Sequence, residues 1–405
     1  MGESPAYLVM ITATANNNKY YRMTPKGESF LVEFGRIGNT TSQTSTYPMS
    51  RWKTKYNEKI KKGYVDQTHL ISDMIVKEVQ KDLTYDEILN KNIATIVERL
   101  QSMADQAIHD NYTVGSNSVT QAMIDEAQQS LTKLVNKTTV EDFNSELLNL
   151  FSIIPRKMSR VSDYLATELP EFGQIVQKEQ DLLDVMQGQV VQKEVKQEEP
   201  PSNISEKGMT ILVERGLEFS EVSEEDVLKI KSLLGSCRDK FKSAWVVKNI
   251  KTQEKFDQYL DNEGQIQTKL LWHGSRNENW WSIINAGLVL KPTNAVITGK
   301  MFGYGTYFAT KARKSLGYTS LSGSYWAGGS SNSAFMSLYE VAYGTPLDVH
   351  DFHHDYNSLN YDRLQKMSKG VHCLHAHEGK MLRNDEIIVY KEEQTTIKYL
   401  VELRN

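Results

Sequence analysis

The sequence has few cysteines and no long hydrophobic run, and both shortages narrow the class of protein. Only Cys237 and Cys373 are present among 405 residues, too few for a disulfide framework or a cysteine-based zinc finger. No apolar run approaches the roughly 20 residues that a membrane-spanning helix requires. The N-terminus also lacks the basic start and the small-residue cleavage site of a signal peptide. We therefore expect a soluble, intracellular protein from a reducing compartment.

The length and the uneven charge predict several domains. A chain of 405 residues is too long for one ordinary hydrophobic core, so two or three domains are expected. Residues 1–68 contain ten Lys and Arg against five Asp and Glu, although the whole chain has a net charge of −4. A basic module on an acidic body indicates binding to a polyanion such as nucleic acid. A solvated basic face without a partner is the alternative.

The first part of the chain predicts a small antiparallel sheet followed by a helix. Alternating apolar residues, separated by polar turns, mark three strands over residues 7–11, 20–23 and 29–34. A Ser/Thr-rich loop then leads to a basic helix over about residues 49–62, with Trp52 and Tyr56 on one face.

The middle of the chain predicts a helical bundle. From residue 84 onward apolar residues recur at spacings of three and four, and possible capping boxes begin at Thr84 and Thr138. Pro155 ends one of these helices, and helical pieces continue to about Met186. Residues 187–208 are polar and charged and contain two prolines, so they predict an exposed linker. The pattern alone fits a spacer, a partner-binding surface or a lid.

The last part of the chain, from about residue 201, predicts a mixed module of strands and helices. It opens with a predicted strand over residues 210–213, a helix capped at Ser223 and a second strand over residues 245–250. Strong alternation over residues 397–403 predicts a closing strand.

The segment from His273 to Tyr318 contains the densest set of candidate site residues. His273 ends an apolar run, so we expect it at the end of a buried strand, where a polar side chain can line a cleft. Gly303 and Gly305 lack a Cβ and are expected to let the backbone pass close to a ligand. Ring faces and a hydroxyl come from Tyr304, Tyr307, Tyr318 and Ser315. These residue types suit a planar aromatic group and a sugar better than a metal or a phosphate.

Four motifs, LWHGS, GxMFGxGxYFA, KSxxY and a late Glu386-Ile-Ile-Val-Tyr, occur in this order and resemble the catalytic domain of the poly(ADP-ribose) polymerases. The resemblance implies that the substrate is NAD⁺, that no metal is needed, and that the catalytic signature is His273, Tyr307 and Glu386. It also implies that Gly274 and Ser315 hold the nicotinamide carboxamide and that Tyr318 stacks on its ring. The remaining residues expected to line the NAD⁺ site are Ser275, Asn279 and Tyr304.

The chemistry of NAD⁺ cleavage explains why the family needs these residue types. Breaking the bond between nicotinamide and ribose passes through an oxocarbenium-like state, which requires a nearby carboxylate and a rigid grip on the leaving ring. The resemblance gives Glu386 a bond to the ribose 2′-hydroxyl and a part in activating the acceptor, and gives His273 a bond to a ribose hydroxyl. The alternatives are an edge-strand charge at Glu386 and a structural role for His273.

The N-terminal motifs NNNKYY, FGRIG and KKGY resemble the WGR domain of DNA-damage-dependent poly(ADP-ribose) polymerases. Phe34 replaces the family's tryptophan and lacks an indole N–H. The resemblance implies that Phe34, Arg36 and Tyr64 contact DNA, and a guanidinium suits a 5′ phosphate at a strand break because it can engage two oxygens. Alternatively, Phe34 belongs to the strand core and Arg36 is an exposed cation.

The resemblance divides the chain into three predicted domains. They are a WGR-like DNA-binding domain over residues 1–83, a helical regulatory domain with its linker over residues 84–200, and an ADP-ribosyltransferase domain over residues 201–405. The predicted class is multidomain α+β, with a small antiparallel sheet plus helix, an all-α bundle and a transferase fold of packed antiparallel sheets. In relatives the helical domain restricts NAD⁺ entry until DNA is bound, which requires a bundle of modest stability.

A separate histidine cluster lies in the motif His372-Cys373-x-His375-x-His377. Alternation along a strand places His375 and His377 on one face, as in some metal sites. No carboxylate or second cysteine is paired with these histidines in a spacing that closes the coordination. The sequence therefore predicts no metal here.

Together these observations predict a DNA-break-stimulated NAD⁺ ADP-ribosyltransferase that attaches ADP-ribose, as a polymer, to proteins including itself. The expected partners are DNA strand breaks and protein acceptors, and we expect a monomer without a membrane partner. The expected location is the nucleus in a eukaryote and otherwise the nucleoid or host DNA. Because the loop between His377 and Glu386 is short, mono-ADP-ribosylation of protein or DNA ends remains an alternative. A DNA-end-binding scaffold with weak catalysis is another.

Overall fold

The described part of the chain forms two compact units. The computed structural model describes residues 4–37, 42–68, 85–112, 119–195, 209–290, 301–325, 327–380 and 382–405. The first unit contains the described residues up to 68 together with those of 106–190, and the second contains those of 84–105, 191–293 and 299–405. Among the described helices, none has both the length and the apolar character needed to cross a membrane.

The first unit begins with a five-stranded antiparallel sheet in the order β4-β3-β2-β1-β5. The strands are β1 (Ala6–Thr12), β2 (Asn17–Lys26), β3 (Ser29–Arg36), β4 (Gln43–Pro48) and β5 (Val65–Asp66). Helix α1 (Trp52–Lys61) buries Trp52 against the sheet, where it joins Leu8, Tyr21 and Phe30 in one apolar core. The three predicted strands and the basic helix are confirmed.

Strand β4 corrects the prediction of a Ser/Thr-rich loop. Its side chains are exposed or half-buried throughout, and it lies at the edge of the sheet beside β3. An edge strand that faces solvent shows no apolar alternation, so the hydrophobic pattern could not reveal it. Its threonines and tyrosine nevertheless favour extended backbone.

The described residues that follow contain four long helices, and their boundaries differ from the predicted ones. They are α2 (Lys91–Asn111), α3 (Gln121–Val135), α4 (Val140–Ile153) and α5 (Phe172–Val195). Helix α2 is capped by Asn90, whose side chain accepts from the amides of Asn92 and Ile93. The prediction of a helix start near Thr84 is therefore wrong, and Thr84 itself lies outside the described residues. Helix α5 runs nine residues beyond the predicted end, because Gln, Lys and Glu favour helices even where their composition resembles that of a linker.

The start of α4 is set by Thr139 and not by the predicted Thr138, because Thr139 Oγ1 accepts from the amide of Asp142. We expect Thr139→Ala to lower the free energy of unfolding of the first unit by about 1 kcal/mol, since the cap bond is lost. Thr138→Ala is the matched control and should change it by only a few tenths. Equal effects of the two substitutions in urea titrations would contradict this assignment of the cap.

The second unit is built on a nine-stranded sheet in the order β11-β12-β13-β9-β8-β10-β14-β7-β6. Its strands are β6 (Leu217–Glu221), β7 (Phe241–Asn249), β8 (Thr268–Gly274), β9 (Thr306–Ala309), β10 (Ser333–Ala342), β11 (Pro346–Val349), β12 (Cys373–Ala376), β13 (Glu386–Val389) and β14 (Thr395–Arg404). Among the strands that the structure describes, only the β11–β12 pair is parallel. The α+β class and the closing strand are confirmed.

The helices of the second unit include one correction. They are α6 (Ile211–Arg215), α7 (Glu224–Leu234), α8 (Ile250–Asn262), α9 (Trp280–Ala286), α10 (Ala312–Leu316) and α11 (Tyr361–Met367). Ser223 caps α7 as predicted. The predicted strand over residues 210–213 is wrong, because Thr210 caps α6 and Gly216, with φ +63°, ends it in the left-handed region. A short apolar run does not distinguish a strand from a buried helix.

Candidate active site

Three adjacent strands bring together the residues of the predicted catalytic signature. His273 lies near the end of β8, Tyr307 lies in β9, and Glu386 is the first residue of β13. In the sheet β9 lies between the other two, with Ala309 facing Glu386 on one side and Trp272 on the other. Tyr307 faces Ile388, two residues after Glu386. Residues up to 113 positions apart in sequence therefore lie within two register positions of one another on three neighbouring strands.

His273 is held as a neutral ring. Its Nδ1 lies 3.0 Å from the carbonyl oxygen of Tyr307, and because a carbonyl only accepts, Nδ1 carries the proton and Nε2 carries the lone pair. The rings of Trp280, Phe308 and Tyr339 surround it. Burial lowers the pKa of His273 to about 4, and the bond to Tyr307 opposes this only in part. At physiological pH the ring is a hydrogen-bonding group without charge.

The depressed pKa of His273 predicts a loss of stability in mild acid. The unfolded chain binds a proton at this histidine below about pH 6.5, whereas the folded chain binds it only near pH 4. The contribution to stability is therefore complete above pH 6.5 and is lost as the pH falls through 4. We expect Tm to fall less steeply between these values in His273→Gln than in the parent chain. His354→Gln, at an exposed histidine, should leave the slope unchanged; if both variants behave alike, the assignment is wrong.

Tyr307 presents its ring while its hydroxyl is already bound. The hydroxyl donates to the carbonyl oxygen of Gly303 at 3.0 Å and accepts from the amide of Phe302 at 3.0 Å. Burial raises the pKa of Tyr307, with a smaller contribution from the nearby charge of Glu386. This tyrosine is therefore suited to support a ligand by its face and not to exchange a proton.

Glu386 is paired with Lys314, a residue that the sequence analysis missed. The carboxylate is 8% exposed and forms an ion pair with the Lys314 ammonium. Lys314 belongs to α10 and also lies 3.4 Å from the carbonyl oxygen of Asn384. The sequence did contain a signal for Lys314, because this lysine is the first residue of the KSxxY motif. Spacing alone does not show that a lysine faces a carboxylate 72 residues away.

Gly274 and Ser315 meet at the end of β8. A Cβ built on Gly274 would lie 2.0 Å from the Ser315 carbonyl oxygen. Any larger residue at position 274 would therefore displace Ser315 and with it the end of α10. The Ser315 hydroxyl is buried and donates to the carbonyl oxygen of Trp272 at 3.1 Å. The two residues expected to hold a carboxamide are therefore in direct contact.

Gly303 and Gly305 have a different role from the predicted one. Gly303 has φ +77°, and a Cβ there would lie 2.2 Å from the carbonyl oxygen of Leu359. A Cβ on Gly305 would lie 2.3 Å from the Ile388 side chain. The space that these glycines leave is filled by the protein itself and not kept for a ligand, so that expectation is wrong. Tyr304, between them, donates its amide to Leu359 at 2.7 Å and orders the turn.

Of the other predicted NAD⁺ residues, Ser275 directly follows β8, Asn279 directly precedes α9 and Tyr318 lies two residues after α10. Tyr318 is 39% exposed, and burial raises its pKa to about 12, with the charge of Glu386 as the second cause. Asn279 donates through Nδ2 to the Ser275 hydroxyl at 2.9 Å. Its Oδ1 is buried and has no hydrogen-bond partner among the described residues. An acceptor that lacks a donor is a plausible contact for a ligand hydroxyl.

The residues predicted to contact DNA pack within the first unit. The Phe34 and Tyr64 rings lie 6.0 and 6.5 Å from the ring of Tyr21, and the Lys59 ammonium lies 4.1 Å above that ring. Phe34 thus contacts the apolar core, as the alternative interpretation expected, while keeping a partly exposed face.

Arg36 is a bound group and not an exposed cation. Its guanidinium donates to the carbonyl oxygens of Asn16, Met158 and Ser159 and to the Asn16 side chain, at 2.8 to 3.3 Å. A DNA phosphate that binds Arg36 must share the guanidinium with these oxygens or replace them. Its contact with DNA stays a prediction.

Two family models match the two ends of the chain, and several known proteins are similar to parts of it. The family model for the poly(ADP-ribose) polymerase catalytic domain matches residues 224–405, and the model for the WGR domain matches residues 4–70. An uncharacterized protein of Invertebrate iridescent virus 6, 101L, is 31% identical over 231 residues, which cover 56% of this chain and 93% of that protein. Poly [ADP-ribose] polymerase 2 of Arabidopsis thaliana is 29% identical over 37% of this chain and 26% of its own length. Poly [ADP-ribose] polymerase 2 of Homo sapiens is 45% identical over 75 residues, 18% of this chain and 12% of that protein.

Proposed function

Because the chain belongs to the poly(ADP-ribose) polymerase family, with a WGR domain and a catalytic domain, and is an NAD⁺ ADP-ribosyltransferase, we propose that DNA strand breaks stimulate it. We also propose that it builds poly(ADP-ribose) on proteins, including itself. The observation that carries the proposal is the meeting of His273, Tyr307 and Glu386 on three adjacent strands.

The corner formed by Gly274 and Ser315 is the proposed site for the nicotinamide carboxamide. The backbone of Gly274 supplies an amide and a carbonyl, as a carboxamide requires for two hydrogen bonds. The Ser315 hydroxyl already donates to Trp272, and its oxygen can still accept from the carboxamide. The faces of Tyr307 and Tyr318 suit the positively charged ring of NAD⁺, and such contacts contribute about 1 kcal/mol or more when desolvated. Release of nicotinamide removes that charge.

The ribose groups are assigned to His273, Ser275 and Asn279. The Nε2 lone pair of the neutral His273 accepts a hydrogen bond from a ribose hydroxyl. The buried Oδ1 of Asn279 accepts another, and the Asn279–Ser275 bond fixes its orientation. These contacts hold the sugar while the bond to nicotinamide breaks.

Glu386 is the proposed charge-stabilising residue. A carboxylate in a nearly buried position stabilises the positive charge that develops on the ribose, because little water screens it. Lys314 forms an ion pair with this side chain and directs it. After nicotinamide leaves, the same carboxylate can take a hydrogen bond or proton from the acceptor hydroxyl during elongation.

Contacts within the second unit support regulation by the helical segment. Arg99 of α2 donates to Glu402 at 2.5 Å and to the Ser333 hydroxyl at 2.8 Å. Ser333 in turn accepts, through its carbonyl oxygen, from the Asn277 side chain, two residues from Asn279. We propose that DNA binding weakens this contact and thereby opens the site to NAD⁺, which requires that the two states differ by only a few kcal/mol. The boundaries of the three predicted domains are part of this proposal.

The first unit is the proposed sensor of DNA ends. Phe34, Arg36 and Tyr64 are assigned to the strand break, with Arg36 on the 5′ phosphate. The protein is then expected to act as a monomer wherever DNA is present, in the nucleus of a eukaryotic source.

We expect Arg36→Ala to weaken binding to a nicked, 5′-phosphorylated duplex about tenfold and to reduce the salt dependence of binding by about one phosphate contact. Lys133→Ala removes an exposed charge from α3 and is the matched control. Fluorescence anisotropy at several salt concentrations measures both. If Arg36→Ala lowers Tm but leaves the affinity unchanged, the side chain only joins Asn16 to Met158 and Ser159.

The proposed function is tested by incubating the full chain with labelled NAD⁺ and resolving the products by size. Parallel reactions contain no DNA, nicked duplex or blunt duplex, and free nicotinamide is measured in each. We expect a ladder of labelled protein that is strongly stimulated by broken DNA.

Other outcomes identify the alternatives. A single labelled shift indicates mono-ADP-ribosylation of protein, and label on the duplex indicates modification of DNA ends. Equal activity with and without DNA contradicts the proposed stimulation. Absence of label and of nicotinamide under all conditions contradicts the assigned activity and favours a DNA-end-binding scaffold.

A further inference from the structure

The parallel pairing of β11 and β12 creates a cluster of side chains that are not among the candidate active-site residues. Asp348 of β11 lies directly opposite His375 of β12 in the register, and His377 follows two residues later. Asp348, His375 and His377 each offer a possible ligand atom, and these atoms all lie within 4.8 Å of one another. The carboxylate of the cluster comes from a strand 27 residues earlier in the chain.

The distances within the cluster suit a small cation. Asp348 Oδ1 lies 2.7 Å from His377 Nε2 and 3.9 Å from His375 Nδ1. The two imidazole rings stack with centroids 3.9 Å apart and planes inclined by 26°. His350 extends the stack, with its ring centroid 4.5 Å from that of His377.

A second observation concerns His375. The residue is only 8% exposed, and its Nε2 is buried and makes no well-aligned hydrogen bond within the described part of the chain. Asp385 Oδ2 lies 3.4 Å from this nitrogen, close enough to favour the proton on Nε2. Nδ1 then carries the lone pair, which faces Asp348 and the Tyr343 hydroxyl at 2.9 Å. A carboxylate behind a histidine is the usual support of a metal-binding imidazole, because it orients the ring and raises its basicity.

From this arrangement we propose that Asp348, His375 and His377 bind one zinc ion. Two imidazole nitrogens and one carboxylate oxygen match the ligands that Zn²⁺ uses, whereas Mg²⁺ and Ca²⁺ prefer oxygen alone. His350 or water fills the fourth position. When zinc binds, it coordinates Nδ1 of His375 and replaces the hydrogen bond between this nitrogen and the Tyr343 hydroxyl.

The other members of the HCxHxH motif lie outside the site. Cys373 donates its thiol to the carbonyl oxygen of Tyr343 at 3.2 Å. The His372 ring accepts from the amide of Thr345 at 2.9 Å. The proposed ligand set is therefore not the contiguous motif but a combination of two strands.

The position of the site suggests a structural role for the ion. Ala376, between the two histidines, is the register partner of Glu386 on β13. An ion at Asp348, His375 and His377 joins β11 to β12 and stiffens the strand on which Glu386 is aligned. This inference does not depend on DNA stimulation or on polymer synthesis.

The test uses the full chain, produced without a histidine tag and stripped with a chelator. After equilibrium dialysis against ZnCl₂, elemental analysis is expected to give one zinc per chain, and Zn²⁺ should raise Tm. Replacing Zn²⁺ with Co²⁺ should produce the visible absorption of a cobalt ion with nitrogen and oxygen ligands.

The double variant Asp348→Asn, His377→Ala removes two of the ligands at partly exposed positions and should lose the zinc, the Tm increase and the cobalt absorption. Its metal-free Tm should match that of the stripped parent chain. The control is His353→Ala, Asp355→Asn, which removes an exposed histidine–aspartate pair 3.2 Å apart and should retain all three signals. Failure of the parent chain to bind one equivalent, or retention of zinc by the first variant, overturns the proposal. So does a first variant that fails to fold without metal, because the cluster is then required for a reason other than zinc.

Discussion

Glu386→Gln is expected to reduce ADP-ribose transfer by about 100- to 1000-fold while NAD⁺ affinity changes only a few-fold. The amide keeps the shape of the side chain but removes the negative charge opposite the developing positive charge, and losing one preorganised group costs roughly this factor. Elongation should suffer more than the first transfer, because the same carboxylate also assists the acceptor. Initial rates with labelled NAD⁺ and calorimetric binding of a non-hydrolysable NAD⁺ analogue separate the two effects.

The same substitution is expected to destabilise the second unit. Lys314 and Glu386 have side chains that are only 13% and 10% exposed, and removing one partner of a buried pair costs about 3–5 kcal/mol because the other charge stays unpaired. The double variant Lys314→Met, Glu386→Gln should recover most of that stability without recovering activity. A thermal scan of the three proteins tests this expectation.

Glu378→Gln is the matched control for these measurements. Glu378 pairs with Lys311, but both side chains are about half exposed, so the pair contributes little. We expect near-parent activity and Tm. If Glu386→Gln makes polymer at the parent rate, the role assigned to its carboxylate is wrong.

Gly274→Ala is expected to abolish NAD⁺ binding and to lower the stability of the second unit. The added Cβ would lie 2.0 Å from the Ser315 carbonyl oxygen and 2.8 Å from the carbonyl carbon, and backbone atoms cannot rotate away as a flexible side chain can. Displacement of α10 moves Ser315 and Lys314 together. The expected loss of activity is therefore at least as large as that of Glu386→Gln, and it includes the affinity for NAD⁺.

Gly379→Ala serves as the control, because a Cβ there has no atom within 4 Å. Calorimetric titration with the NAD⁺ analogue and thermal scans compare the two variants. DNA binding by the first unit should persist in Gly274→Ala, which distinguishes a local displacement from global unfolding. An unaltered NAD⁺ affinity would show that the contact between Gly274 and Ser315 does not shape the site.

The sequence predicted the elements with regular patterns and predicted less well those without one. Apolar alternation identified β1 and β14 because each has one face in a core. The exposed strand β4 and the helix α6 were mistaken for a loop and a strand. An edge strand without apolar alternation and a five-residue helix with only three apolar residues contain no usable period. Thr139 was missed as a cap because Thr138 is also followed by an acidic residue three positions later.

The glycines show the same limit within the candidate site. Residue type predicted a close approach at Gly303 and Gly305, and a close approach is found at both. It could not indicate what passes there. At Gly303 and Gly305 the neighbours are Leu359 and Ile388, from segments about 55 and 80 residues away along the chain.

The sequence by itself determined which side chains this protein has for NAD⁺ chemistry and the order in which they occur, because a motif of residue types and spacings is a local property. The pairing of Glu386 with Lys314, the binding of Arg36 by carbonyl groups of Met158 and Ser159, and the meeting of Asp348 with His375 were decided only by the tertiary structure. Each of these joins segments that are distant in the chain, and the register of strands and the packing of helices, which no local pattern encodes, bring them within bonding distance.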